Sequence, residues 1–185
     1  MTSTRVAVRV TFMRMDQRQP PPRPLPPDTT LVRLAACSVP FYRYLYGTVG
    51  GPYLWWLRRT LSDAELASIL RNPAVSVHVL YQGGEPAGFF ELDNSPRPTI
   101  NLSYFGLMPH AVGRGLGAAF LGAAIETAWR AGARALTVNT CTADHERALP
   151  NYLRAGFYKV RVVDEVWDIP ARLGLTVPVH LRTLA

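Results

Sequence analysis

The chain has 185 residues, 48% of them hydrophobic, enough to bury one sizeable core. No run approaches the ~20 consecutive apolar residues of a membrane span, and two cysteines, Cys37 and Cys141, make neither a disulfide framework nor a metal-binding C-x-x-C. The formal charge of +7 invites nucleic acid, yet the arginines are scattered, with Arg58-Arg59 the only adjacent pair, so nucleic acid is not the expected partner.

Residues 1–16 alternate Val6, Val8, Val10 and Phe12 with charged or small positions, the pattern of a strand and not of a secretory leader. The run from Gln19 to Pro27 holds six prolines and must be extended, because proline fixes φ and removes donors. Residues 1–28 therefore read as an extra strand on a stiff strap, and residues 29–185 as the main domain, starting with a short strand at Thr30–Leu34. An aromatic-rich segment follows, in which Tyr42, Leu45 and Tyr46 have helical spacing and Tyr53, Trp55 and Trp56 lie beyond Gly50-Gly51-Pro52. Ser62 and Glu65 form the capping box of a helix ending near Asn72-Pro73. Val75–Tyr81 and Ala87–Leu92 flank Gln82-Gly83-Gly84-Glu85, a hairpin signal.

An apolar strand over Ile100–Met108 then leads into Gly113-Arg114-Gly115-Leu116-Gly117, which opens a helix to about Ala131, stopped by Gly132. Strand, glycine turn and helix start make an anion site, with backbone N–H groups pointing outward and the helix dipole favouring negative charge. A side chain at Gly115 or Gly117 would hold a phosphate away from those amides. A Walker loop fails because the only lysine is Lys159. Gly113, Gly115 and Ala118 meet the dinucleotide pattern G-x-G-x-x-G/A, but the next strand, Ala135–Cys141, ends without the acidic residue that pattern needs. Asp144 and His145 after it look like a helix-entry cap.

Val112–Gly117 resembles the pyrophosphate loop of the GNAT acetyltransferases, [RQ]-x-x-G-x-[GA], departing at Val112. Ala148–Phe157 resembles that superfamily's second signature, with Tyr152 on its tyrosine, Gly156-Phe157 on its final pair and Asn151 where leucine is usual. The likeness covers roughly residues 29–168, and Tyr104–Leu107 with Thr140–Thr142 resembles a bacterial subgroup of unassigned acceptor.

That resemblance implies an α/β fold with a mixed, mostly antiparallel sheet flanked by helices. It implies an N-acyltransferase that moves acetyl or another short acyl group from acetyl-CoA or a related acyl-CoA to an amine-bearing acceptor without metal. The two lone cysteines fit buried free thiols in a reducing cytoplasm, the lack of an apolar span predicts no membrane, and a homodimer stays open. Gly113, Arg114, Gly115, Gly117 and Ala118 would hold the pyrophosphate, and the Leu107 N–H would polarise the acyl carbonyl. Tyr152 would protonate the leaving thiolate. The base is less well marked. Many members carry a glutamate where this chain has Asn101, which with Ser103 could hold a water relay, and Glu91 is the nearest carboxylate by strand adjacency. Tyr46, Tyr53, Trp55 and Trp56 would wall the acceptor pocket. The alternative is a non-catalytic acyl-CoA sensor with the same fold, kept open by the missing glutamate.

Overall fold

A computed structural model describes residues 2–20 and 23–182; Pro21 and Pro22 of the strap lie outside the described residues. The strands are β1 (Ser3–Met15), β2 (Thr29–Arg33), β3 (Val75–Gln82), β4 (Glu85–Asp93), β5 (Thr99–Leu107), β6 (Ala135–Cys141) and β7 (Tyr158–Pro170). The helices are α1 (Val39–Gly50), α2 (Leu57–Thr60), α3 (Asp63–Arg71), α4 (Leu116–Arg130) and α5 (Ala148–Arg154). The seven strands form one sheet in the order β2-β3-β4-β5-β6-β1-β7, antiparallel throughout except for β5 and β6. This is the mixed, mostly antiparallel architecture expected.

The N-terminal strand is no appendage. It lies inside the sheet, pairing with β6 over Val10–Met15 and with β7 along nearly its whole length. Alternation puts Val6, Val8 and Val10 on one face, covered by Leu54, Ile169, Val177 and Leu181. Met13 and Met15 face the opposite way, into the core under α4. The strand thus buries different faces in its two halves. The strap returns across the α4 side, where Arg18 pairs with Glu126 at 2.6 Å and Leu25 packs on the core.

Two apolar layers sandwich the sheet. Phe90, Leu102, Phe120, Leu136 and Tyr152 fill the α4 side. Tyr42, Tyr46, Val79, Phe89 and Leu66 fill the α1–α3 side. Helix α3 begins as expected, with both hydrogen bonds of the Ser62–Glu65 capping box present. Helix α1 presses closely on the sheet, because a Cβ at Gly106 would stand 2.4 Å from Val49 Cγ1. Among the described residues, no helix is long and apolar enough to cross a membrane.

Candidate active site

The central feature is a parting of β5 from β6. The two strands pair only at Thr99–Asn101 with Ala135–Thr137. On the other side of β5 the register with β4 shifts by one residue, leaving Ser103 opposite no partner between Leu102 and Tyr104. An extra residue bends a strand and increases its twist, which carries β5 away from β6 at this point. Asn101 clasps the vertex: its Oδ1 accepts from Thr137 Oγ1 on β6 (3.0 Å) and its Nδ2 donates to Ser103 Oγ (3.1 Å).

Beyond the vertex one edge of β5 is bare. Met108 N–H donates to the Ala87 carbonyl (2.9 Å). In an antiparallel ladder, alternate residues face the same partner, so Gly106 and Tyr104 also turn their backbone groups to β4. The N–H and C=O of Leu107 and Phe105 therefore point into the gap. Directly after this edge comes the glycine loop. Gly113 and Gly115 have φ of +81° and +78°, which L side chains adopt only under strain, and a Cβ on either would meet nothing within 4 Å. Gly115 is the N-cap of α4, supplies no side-chain cap, and the first turn carries no acidic residue. The helix start thus leaves its amides and its positive dipole end unanswered. Gly113, Arg114, Gly115 and Ala118 are exposed and Gly117 is half-buried.

Tyr152 approaches the gap from the α4 side. Its ring packs edge-on to Phe105 (6.4 Å) and Phe157 (5.8 Å), and its hydroxyl has no hydrogen-bond partner among the described residues. Burial, with Asp144 adding, pushes its pKa well above the ordinary tyrosine value.

From the other face come Tyr104, Tyr46 and Trp55, with ring centroids 4.9–5.3 Å apart. Tyr53 packs beside His145 at 6.0 Å. Trp56 goes elsewhere, against Trp167 on β7 (6.5 Å), so the structure gathers Tyr46, Tyr53 and Trp55 but not Trp56. The residue before this pair explains the divergence. Leu54 sits at φ +57°, a left-handed conformation rare for a non-glycine, and is 1% exposed. Burial of its side chain beneath β1 holds a turn that sends the two tryptophans apart.

Glu91 is fully buried, but not among apolar groups alone. Its Oε1 accepts from Arg58 Nη2 (2.7 Å) and its Oε2 from the Tyr42 hydroxyl (2.5 Å). Burial lowers the Arg58 pKa, and Glu91 more than reverses that, leaving the guanidinium raised and firmly charged. Arg58 also lies over the Tyr104 ring at 5.4 Å. This partner comes from α2, a segment with no sequence signal for the role.

Asp144 is the residue that sequence reasoning misplaced. Helix α5 starts at Ala148 with Arg147 as its N-cap, so Asp144 caps no helix. It closes the turn after β6, its Oδ2 accepting from Thr140 Oγ1 (2.7 Å) and Cys141 N–H (2.9 Å), while Trp55 Nε1 reaches Oδ1 at 3.5 Å. Burial raises its pKa above the usual carboxylate range, against the lowering effect of those hydrogen bonds. Asp144 also raises the pKa of Tyr53 after burial, and that of Tyr152, so a half-desolvated carboxyl stands among the gap's aromatics. Neighbouring Cys141 is pushed up to about 12, chiefly by burial, and is a neutral thiol rather than a nucleophile.

Comparison with known proteins fits this geometry. The Acetyltransferase (GNAT) family matches residues 39–157. A GCN5-related N-acetyltransferase from Sphaerobacter thermophilus shares the fold at 18% identity with a TM-score of 0.66, covering 90% of this chain and 53% of its own. One from Kribbella flavida does so at 14% identity and 0.61, covering 92% of this chain and 62% of its own. The chain thus spans about half to three-fifths of the length of these two proteins. An aminoglycoside acetyltransferase from an uncultured soil metagenomic sample, in complex with trehalose, is similar at 16% identity and 0.56, over 69% of this chain and 87% of its own. No curated protein matches. With well over half its length matched, the chain belongs to the GNAT acetyltransferase family.

Proposed function

We propose that this protein transfers a short acyl group, acetyl first among them, from acyl-CoA to an amine. One observation carries the reading: β5 and β6 part after three paired residues, and the bare edge of β5 runs straight into an uncapped, glycine-lined helix start. A chain of amide groups joined to an anion-binding turn suits pantetheine and pyrophosphate, and the open space at Gly113 and Gly115 suits close approach to backbone. When bound, acyl-CoA supplies an acyl thioester already activated towards amines.

The chain's own groups then have separable tasks. Amides from Gly113 to Ala118 hold phosphate oxygens, with Arg114 adding charge from outside. The Leu107 N–H, unpaired at the gap, polarises a carbonyl oxygen. Tyr152 holds its proton on Oη until a leaving sulfur takes it. Asp144, partly exposed and with its pKa raised, receives the proton that the amine loses. The Arg58 ion pair favours a positioning role for Glu91 over the base role expected from sequence: it fixes Arg58 over the Tyr104 ring. Asn101 holds the vertex together.

The same engagement of Glu91 favours the second reading, a sensor that binds acyl-CoA without chemistry. Calorimetric titration with acetyl-CoA, paired with thiol release across a panel of amines, separates them. The enzyme reading expects binding and acceptor-dependent release. Binding without release for any amine turns the reading to a sensor, and no binding removes both.

A further inference from the structure

A cavity of ≈ 320 Å³ lies between α1 and the segment from α2 to α3. Its charged lining has one sign: the guanidinium groups of Arg43, Arg58 and Arg59, and no carboxylate. Two of these charges are answered from outside the lining, Arg43 by Asp63 and Arg58 by Glu91, each at 2.7 Å. Arg59 is not. It makes one side-chain hydrogen bond, Nη2 to the Gly47 carbonyl (3.0 Å), and pairs with no carboxylate among the described residues. The Nε atoms of Arg58 and Arg59 are both buried without an acceptor. A guanidinium carries five donors, so this wall holds a surplus of N–H groups and of positive charge. Tyr42, Tyr44 and Tyr46 of α1 complete the lining; Tyr42 and Tyr46 are buried in the core, and Tyr44 is exposed.

The cavity is joined to the candidate active site through shared residues. Arg58 lies over the Tyr104 ring, and Tyr46 packs edge-on to the same ring at 4.9 Å. Tyr104 stands on β5 just past the point where the strands part. Tyr46 and Arg58 thus belong both to the cavity lining and to the walls of the gap.

We propose that this cavity binds the carboxylate of an amine acceptor, and that the acceptor is a small aminocarboxylate with an aromatic side chain. The amine's part in this rests on the acyl-transfer reading. A planar carboxylate matches the fork of a guanidinium, the half-exposed Tyr44 ring offers a flat apolar face, and the volume is at the lower end for ligand sites, which suits an amino acid. A polycationic amine would meet uncompensated positive charge.

Calorimetric titration of the full chain into the millimolar range tests this with L-phenylalanine, phenethylamine, phosphoethanolamine and kanamycin. L-phenylalanine should bind, and phenethylamine, which lacks only the carboxylate, at least about tenfold more weakly. Arg59→Met should cost a similar factor. Because Arg59 also holds the Gly47 carbonyl, Thr48→Glu on the same lining serves as a second variant, and its negative charge should abolish binding while circular dichroism stays unchanged. Equal binding of phenylalanine and phenethylamine, preference for phosphoethanolamine or kanamycin, or undiminished affinity in folded Thr48→Glu would each overturn the proposal. Acetyl-CoA, titrated separately, keeps the two readings apart. If it binds and phenylalanine does not, the cavity inference falls alone. If phenylalanine binds through Arg59 and acetyl-CoA does not, acyl transfer falls and the carboxylate site stands.

Discussion

The Tyr152 hydroxyl is held by rings and left without a partner, which makes its proton the one property a conservative substitution removes. Tyr152→Phe keeps the packing against Phe105 and Phe157. Turnover should fall by roughly 10²–10⁴-fold with acetyl-CoA affinity unchanged in a calorimetric titration. Unchanged turnover would strip Tyr152 of its role. Asp144 answers to pH. Its raised pKa means that the base form appears only as pH rises through that value, so kcat/KM should show an acidic limb above the ordinary carboxylate pKa of ~3.9. Asp144→Asn should lower the rate and erase the limb. The raised pKa favours the native state in full below the unfolded carboxyl's pKa, and that contribution is lost as pH rises through the folded value. The amide should therefore cost no more than about 1 kcal/mol of stability at pH 7, the worth of a hydrogen bond. Neither Asp144 nor Arg58 was legible in the sequence. Their positions depend on a β6 turn and on α2 folding back over β5, contacts that local periodicity does not encode.

At the level of elements, the β5–loop–α4 unit was the most legible part of the chain, because glycine spacing and apolar runs are local signals. The strand was expected at 100–108 and stands at Thr99–Leu107; the helix was expected to about Ala131 and ends at Arg130. What the sequence did not disclose is that β5 carries a bulge at Ser103 and separates from β6, since bulges leave no compositional mark when the residue is not glycine. The unit also yields a sharp test. Gly115→Glu places a carboxylate where amides await an anion, and Gly115→Ala imposes only the left-handed strain, about 1–2 kcal/mol. The glutamate variant should lose acetyl-CoA binding while its melting curve tracks that of the alanine variant. Wild-type affinity in folded Gly115→Glu would remove the loop from the cofactor site. Helical spacing was also right to warn that Tyr42 and Tyr46 are core: both are almost wholly buried, yet both still reach the cavity wall.

For the molecule as a whole, stability should weaken on mild acidification. His78 is 5% exposed on β3 and stacks on Phe90, and burial, with Arg33 adding, pushes its pKa down to about 4. Unfolded, it titrates near ~6.5, so the unfolded state binds the extra proton first. Its contribution is complete above that pH and is lost as pH falls towards 4, a span worth up to about 3 kcal/mol. Denaturant titrations at pH 7 and pH 5 should show this loss in the wild type and a smaller one in His78→Phe; equal losses would place the acid sensitivity elsewhere. Sheet order was the part least open to sequence reading. The first strand was recognised as a strand, but its place between β6 and β7 follows from which faces those late strands leave bare, a global outcome. That placement has a consequence in time. Both neighbours of β1 lie more than a hundred residues further along the chain, so during synthesis its Val and Met side chains wait without strand partners while β2 to β5 can already assemble. Closing so long a loop is slow, and an unpaired apolar strand invites pairing with other chains. The growing protein therefore passes through an interval in which its sheet ends at β5, open to mispairing, until β6 and then β7 emerge and enclose β1 between them.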